Sequence, residues 1–206
     1  MTRPTPTSVA FRPAGPAGDA EIRRWLEDYI ELPHPELGRS GAVCPYATAA
    51  NRAGLIHILS ATWTSPLALS DQLIQDVLYT ALDLFDGRTW PDGPARLRSL
   101  VILLSSLPEP QWPLLDAAHA AVKTHAMERG RMIGQFHPLC PAPAAHNPDF
   151  TPNRAPHPLI VVRSIAAHDV LFAQTPPQHA AHARHFSRAP GQTARYGPDH
   201  PSDQHK

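Results

Sequence analysis

Proline occupies 25 of the 206 positions, about twice its usual share, and it falls where it cuts the chain into short pieces. Inside a helix a proline removes a backbone donor and clashes with the preceding turn, and inside a central strand it breaks the ladder. Regular elements are therefore confined between Pro33 and Pro35, Pro66, Pro91 to Pro94, Pro110, and the stretch from Pro138 to Pro158. Between these stops the chain has enough apolar material, 42% of residues, to build a core, and its 17% of charged residues are too few for charge-driven disorder. Its length suits one domain.

The periodicity predicts a helix from Asp19 to about Leu32, stopped by the two prolines, and a short strand over Leu55 to Trp63. Ser65-Pro66 reads as a helix start, and Leu69, Leu73, Ile74, Val77, Leu78, Ala81, Leu84 and Phe85 keep helical spacing until Gly87 ends it. Leu100 to Leu104 reads as a buried strand, a helix follows from near Pro110 to Arg129, and Met132 to His137 and Leu159 to Arg163 read as strands. A last short helix is expected near residues 166–173. The order of strands and helices predicts an α/β or α+β fold, one mixed sheet of about four strands covered by helices. Residues 1–18 read as a flexible leader, 19–174 as a single globular domain, and 175–206 as a disordered Pro/His-rich tail with at most a brief helix near His179 to Phe186.

Lysine plus arginine equals aspartate plus glutamate at 18 each, so the chain lacks the basic excess that a phosphate backbone demands, and nucleic acid is not the expected partner. No apolar run approaches the roughly 18 residues of a membrane span, and no apolar signal core opens the chain, which together predict a cytoplasmic protein. Two cysteines, Cys44 and Cys140, are too few for a disulfide framework and should be free thiols in a reducing cytosol. Only Lys123 and Lys206 among the 18 basic residues are lysine, and with so much Ala, Pro and Arg the composition suggests a high-GC bacterial genome.

Chemistry concentrates in Gly134-Gln135-Phe136-His137-Pro138, in Asn147-Pro148 and in Asn153-Arg154-Ala155-Pro156-His157-Pro158. A connection of this length inside a compact domain tends to be functional or disordered, and fixed prolines make this one ordered. Asn147, Asn153 and Arg154 either bond the loop's own backbone or meet a ligand. His137, at the end of an apolar strand, is open to three roles: metal or haem ligand, general base, or structural histidine. His57 reads as a core or sheet-face residue, and His119 and His125 as solvent-side on their helix. Both cysteines precede a proline, and such a thiolate can ligate haem iron or act as a nucleophile where a histidine lowers its pKa. Cys44 follows Gly38-Arg39-Ser40-Gly41, a cation with backbone donors, whereas Cys140 reads as an ordinary buried thiol. A zinc set of Cys44, Cys140, His137 and either His146 or His157 can be drawn, but without a CxxC pair it is a weak signal.

GRSGAVCPY at Gly38–Tyr46, GQFHP at Gly134–Pro138, and NPDFTPNRAPHPLIVVRS at Asn147–Ser164 followed by His168-Asp169 resemble a bacterial domain-of-unknown-function family common in actinomycetes. A related proteobacterial family has a similar Cys-Pro-Phe-Ala, Phe-His-Pro and Asn-Arg-Ser-Pro pattern, from which Tyr46 and Ala155 depart. The resemblance covers about residues 20–175. More loosely, the chain is similar to YqcI/YcgG-type proteins, some of which are haem-dependent N-oxygenases of amino acids. That similarity implies a haem-dependent redox enzyme of specialised metabolism acting on an amino acid or amine, though no ligand position maps from it. His137 or Cys44 would then ligate iron, and Arg39, Asn147, Asn153, Arg154, His157 and Arg163 would hold carboxylates or other anions. The alternative class is a non-catalytic binding or accessory protein using the same loop, with Cys44 as a nucleophile a third reading. The expectation that separates them is geometric: the segments carrying Cys44, His137 and Arg154 should converge on one cleft, with at least two of the three side chains lining it.

Overall fold

Leu100 to Leu104 is apolar at every position, as a strand covered on both faces must be. In the computed structural model, which describes residues 9–63 and 69–186, this segment forms the middle of a five-stranded mixed sheet. The strands are β1 (Val9–Pro13), β2 (Ile56–Trp63), β3 (Ser99–Leu103), β4 (Arg131–Phe136) and β5 (Leu159–Ser164), in the order β1-β2-β3-β5-β4. β2 and β3 run parallel, and every other neighbouring pair is antiparallel. A parallel pair needs a crossover, and the helix α3 (Asp71–Gly87) supplies it.

Alternation divides the core in two. Leu100, Ile102 and Leu104 pack with α3 and α4 (Trp112–Glu128) on one face. Val101 and Leu103 pack on the other with α1 (Pro16–Trp25), its π-helical extension Leu26–Ile30, and α2 (Ala47–Arg52). Ser70 caps α3 by accepting the Leu73 amide at 3.2 Å, and Gly130, at φ 71°, lets the chain leave α4 for β4. No helix among the described residues is long and apolar enough to cross a membrane.

The mixed sheet under helices is as expected, with five strands rather than four. The additional one, β1, lies within the expected leader. It forms because Val9 to Pro13 pairs with Trp63 to Leu59, a partnership invisible in five residues whose alternation amounts to Val9 and Phe11 alone. The helix start expected at Ser65-Pro66 lies outside the described residues, and α3 begins at Asp71. Part of the expected disordered tail is α5 (Pro176–Phe186), fastened to α4 by His185 Nε2 donating to the Met127 carbonyl at 2.9 Å. His182 Nε2 donates to the Ala166 carbonyl at 3.1 Å, so these histidines hold backbone rather than metal.

β4 lies at the edge of the sheet, yet its outer side is occupied. His119 Nε2 donates to the Ile133 carbonyl at 3.2 Å, and Asn153 Nδ2 donates to the Gln135 carbonyl at 3.0 Å. One residue further on, the His137 amide donates to the Asn153 carbonyl. His119 is thus turned inward, contrary to the expected solvent-side position, because the edge carbonyl needs a donor. His125 is exposed as expected.

Candidate functional site

Successive residues at the end of β4 serve opposite sides of the sheet. Phe136 packs edge-on against Trp25 of α1, with ring centroids 5.5 Å apart. His137 belongs to the α4 side, where it is 2% exposed and lies beside Trp112 with ring centroids 5.2 Å apart. Asp116, one helical turn after Trp112, brings its carboxylate to His137 Nε2, 3.2 Å from each oxygen. A tight turn, closed by the Cys140 amide donating to the His137 carbonyl at 3.0 Å, returns Cys140 to the same place. Its Sγ is 4.0 Å from Asp116 Oδ1 and 3.7 Å from the Gln135 carbonyl. Burial, reinforced by the nearby Asp116 carboxylate, pushes the Cys140 thiol up to about 11, so it is protonated at neutral pH and is no nucleophile. Sequence reasoning missed Asp116. Its signal was being the single acid within the Leu/Ala-rich run from Trp112 to Met127.

The long loop after this turn is held mainly by its own amides. Asn147 Nδ2 donates to the Glu36 carbonyl at 2.8 Å while its Oδ1 accepts the Asp149 amide at 3.1 Å. Asn153 secures the β4 edge. Both asparagines therefore take the backbone-holding role weighed from sequence. His157 pairs with Glu21 at 2.9 Å on the surface, tying the loop to α1. Gly38 permits the close approach of the Pro35–Leu37 turn to this loop: at φ 75° an added Cβ would lie 2.6 Å from the His146 carbonyl oxygen. Gly38→Ala should accordingly lower stability by about 1–3 kcal/mol, read as a shift in the urea midpoint at unchanged slope.

Between α1, the His34–Glu36 turn and residues 149–155 lies a cleft of about 510 Å³. Its walls are Trp25, Tyr29, His34, Glu36, Asp149, Phe150, Thr151, Arg154 and Ala155. The polar ends of the aromatics brace the loop: Trp25 Nε1 donates to the Arg154 carbonyl and Tyr29 Oη to the Pro152 carbonyl, each at 3.0 Å. Burial raises the Tyr29 pKa, which the Arg154 charge partly offsets. His34 stacks on Phe150 at 4.3 Å between centroids. Arg154 Nε donates to Thr151 Oγ1 at 3.1 Å, which sets the plane of its guanidinium, and among the described residues no carboxylate pairs with it.

The remaining candidates sit elsewhere. Arg39 donates to the carbonyls of Ser40, Ala42 and Val43 and so shapes its own loop. Arg163 makes two bonds to the fully buried Asp169, at 2.8 and 2.6 Å, and Cys44 and Tyr46 lie near it. Arg163 stands four residues along β5 from Leu159, the partner of Phe136, which is roughly 13 Å of strand. Cys44 also packs with the α1-side core, whereas His137 faces α4.

The expected meeting of Cys44, His137 and Arg154 therefore does not occur. Arg154 lines the cleft, His137 does not, though its amide donates to the Asn153 carbonyl, and Cys44 lies on the α1 side near Arg163. The four-residue zinc set is divided in the same way, with His146 exposed and His157 bonded to Glu21. His137 is covered by Trp112 and faced by Asp116.

A protein-family model described as a domain of unknown function (DUF6875) matches residues 19–196, a span that takes in α5. No curated protein and no solved structure matches the chain.

Proposed function

The chain belongs to this family, whose description names no activity, so the assignment rests on the chain's own side chains, and we propose that it binds a small amino-carboxylate, an amino acid or a close relative, in the cleft against α1. The observation that supports this reading is the chemistry of the walls. They carry one cation, Arg154, two carboxylates, Glu36 and Asp149, and the aromatic surfaces of Trp25, Tyr29 and Phe150. A guanidinium whose Nε is already anchored presents its remaining donors as a planar fork suited to a carboxylate. The two acids suit an ammonium, and the aromatic faces suit either a cation or an apolar side chain. The volume is in the range of small-molecule sites. Free Cys44 and Cys140 fit a reducing cytoplasm as the place of this activity.

Calorimetric titration with a panel of amino acids, alongside their N-acetyl and amide derivatives, tests the reading. The expected result is binding that weakens at least tenfold when either end of the ligand is blocked, and by a similar factor in Arg154→Ala. Arg154 is exposed, so its removal should leave the melting temperature nearly unchanged. Equal binding by Arg154→Ala, or no binding by any of the panel, overturns the assignment. The oxygenase reading adds haem to this binding function. A Soret band on adding hemin that is lost in His137→Ala would support it, and the absence of any band would dismiss it.

A further inference from the structure

We propose that Asp116, His137 and Cys140 form a mononuclear site for a first-row transition-metal ion, with zinc(II) the best match to the donors. The inference does not depend on what the cleft binds. Carboxylate, imidazole and thiolate together are a borderline-soft set that suits zinc, cobalt(II) or iron(II) and disfavours magnesium or calcium. The three donor atoms lie within 4.8 Å of one another. A tetrahedral ion bound at ordinary zinc distances holds its ligand atoms roughly 3.3–3.7 Å apart, and the observed imidazole–carboxylate and thiol–carboxylate separations are 3.2 and 4.0 Å. Small side-chain rotations close the difference.

Two details separate this group from a plain ion pair. A charged N–H donating to a carboxylate normally settles on one oxygen at about 2.7–2.9 Å, whereas His137 Nε2 stands 3.2 Å from both oxygens of Asp116. That is a long, forked contact, not the single short bond of a settled ion pair. An Asp–His pair also has no use for a thiol, yet the turn from His137 to Cys140 delivers one, 1% exposed, between the Gln135 carbonyl, the Asp116 carboxylate and the Ala142 backbone.

The backbone fixes the spacing. The His137 amide is tied to Asn153 and the Cys140 amide to His137, so two ligands come from one rigid turn and the third from α4. Burial is uneven. His137 and Cys140 are sealed, but the Asp116 side chain is 25% exposed and Leu139, between the other two ligands, is 63% exposed. The ion's path from solvent is short, and a fourth position remains for water or an external ligand, the pattern of a reactive rather than a purely structural site. His137 Nδ1 has no acceptor among the described residues, so the outer contact that usually strengthens a ligand histidine is missing. Affinity below that of a closed four-ligand site follows.

The test uses the full-length chain, stripped with chelator and titrated with cobalt(II). The expected result is one equivalent bound, giving a thiolate-to-cobalt charge-transfer band and the visible bands of a tetrahedral ion, both displaced by zinc. Cys140→Ser should remove the charge-transfer band, and Cys44→Ser should retain it. Asp116→Asn keeps the shape of a partly exposed side chain, so it should stay folded, and its cobalt dissociation constant should rise at least tenfold. Folding of each variant is checked by its thermal transition. No stoichiometric cobalt band in the folded chain, a band that follows Cys44 instead of Cys140, or unchanged affinity in Asp116→Asn would each overturn the proposal.

Discussion

Asp169→Ala should destabilise the fold by roughly 3–5 kcal/mol, the usual cost of breaking a buried ion pair from one side. For a chain of this length that corresponds to a fall of roughly 6–20 °C in melting temperature. Asp169 is fully buried, accepts both Arg163 bonds and also accepts the Ala166 amide at 2.7 Å. Alanine leaves the guanidinium desolvated without its counter-charge and strands a backbone donor at the turn Ala167–Phe172. Asp169→Asn retains an acceptor for the Ala166 amide and should lose less. Replacing both partners with apolar residues, Arg163→Met with Asp169→Leu, should recover part of the loss, since the uncompensated charge and not the missing bond is the larger penalty. Chemical denaturation of the three variants measures these differences, and a loss below about 1 kcal/mol for Asp169→Ala would show that water solvates the pair.

Acid should weaken the protein through His119. Burial, and then the charge of Lys123, lower its pKa to about 4, while its bond to the Ile133 carbonyl works in the opposite direction. In the unfolded chain the same ring titrates near 6.5. Between these values the unfolded state binds the extra proton, so stability rises with pH across this window. The contribution is complete above about pH 6.5 and is lost as pH falls toward 4, amounting to roughly 3 kcal/mol at about 1.4 kcal/mol per unit. His57 and His168 are lowered in the same direction, with burial again the leading cause. His119→Gln keeps an N–H for the Ile133 carbonyl and cannot titrate. Urea midpoints from pH 7 to pH 4.5 should therefore fall less steeply in that variant than in the parent, and parallel curves would remove His119 as the cause.

What the sequence made legible followed the strength of its local pattern. β3 and α3 were readable because an unbroken apolar run and a long helical stripe each have one good reading, and β4 and β5 were placed to within a residue or so. β1 was not, since an edge strand of five residues is defined by its partner. α5 was legible only as a brief helix near His179 to Phe186 within an expected disordered tail, because Ala, His, Arg and Gln make no apolar stripe, and the helix docks through histidines that donate to carbonyls on α4 and before Ala167–Phe172. At the candidate site the loop motifs were visible as motifs, and His137 and Cys140 stood together in the zinc set that the sequence allows. Asp116 could not, because nothing local distinguishes a carboxylate that meets a distant histidine from one that meets water. The separation of Cys44 from His137 was equally hidden. Both precede or carry a proline motif, and only strand pairing reveals that one lies toward each end of β5.

The contacts along the outer side of β4 have a further consequence. A strand at the margin of a sheet with unpaired amides and carbonyls is a template on which a second copy can add a strand, and from there growth need not stop. Here His119 and Asn153 take the positions such a visitor would need, at Ile133, Gln135 and His137 in succession. Asn153 lies in the wall segment of the cleft, and His137 is a proposed metal ligand. The proposed recognition and the covering of this margin are thus built from neighbouring residues, so the loop that carries the candidate chemistry also helps to close the β4 edge of the sheet.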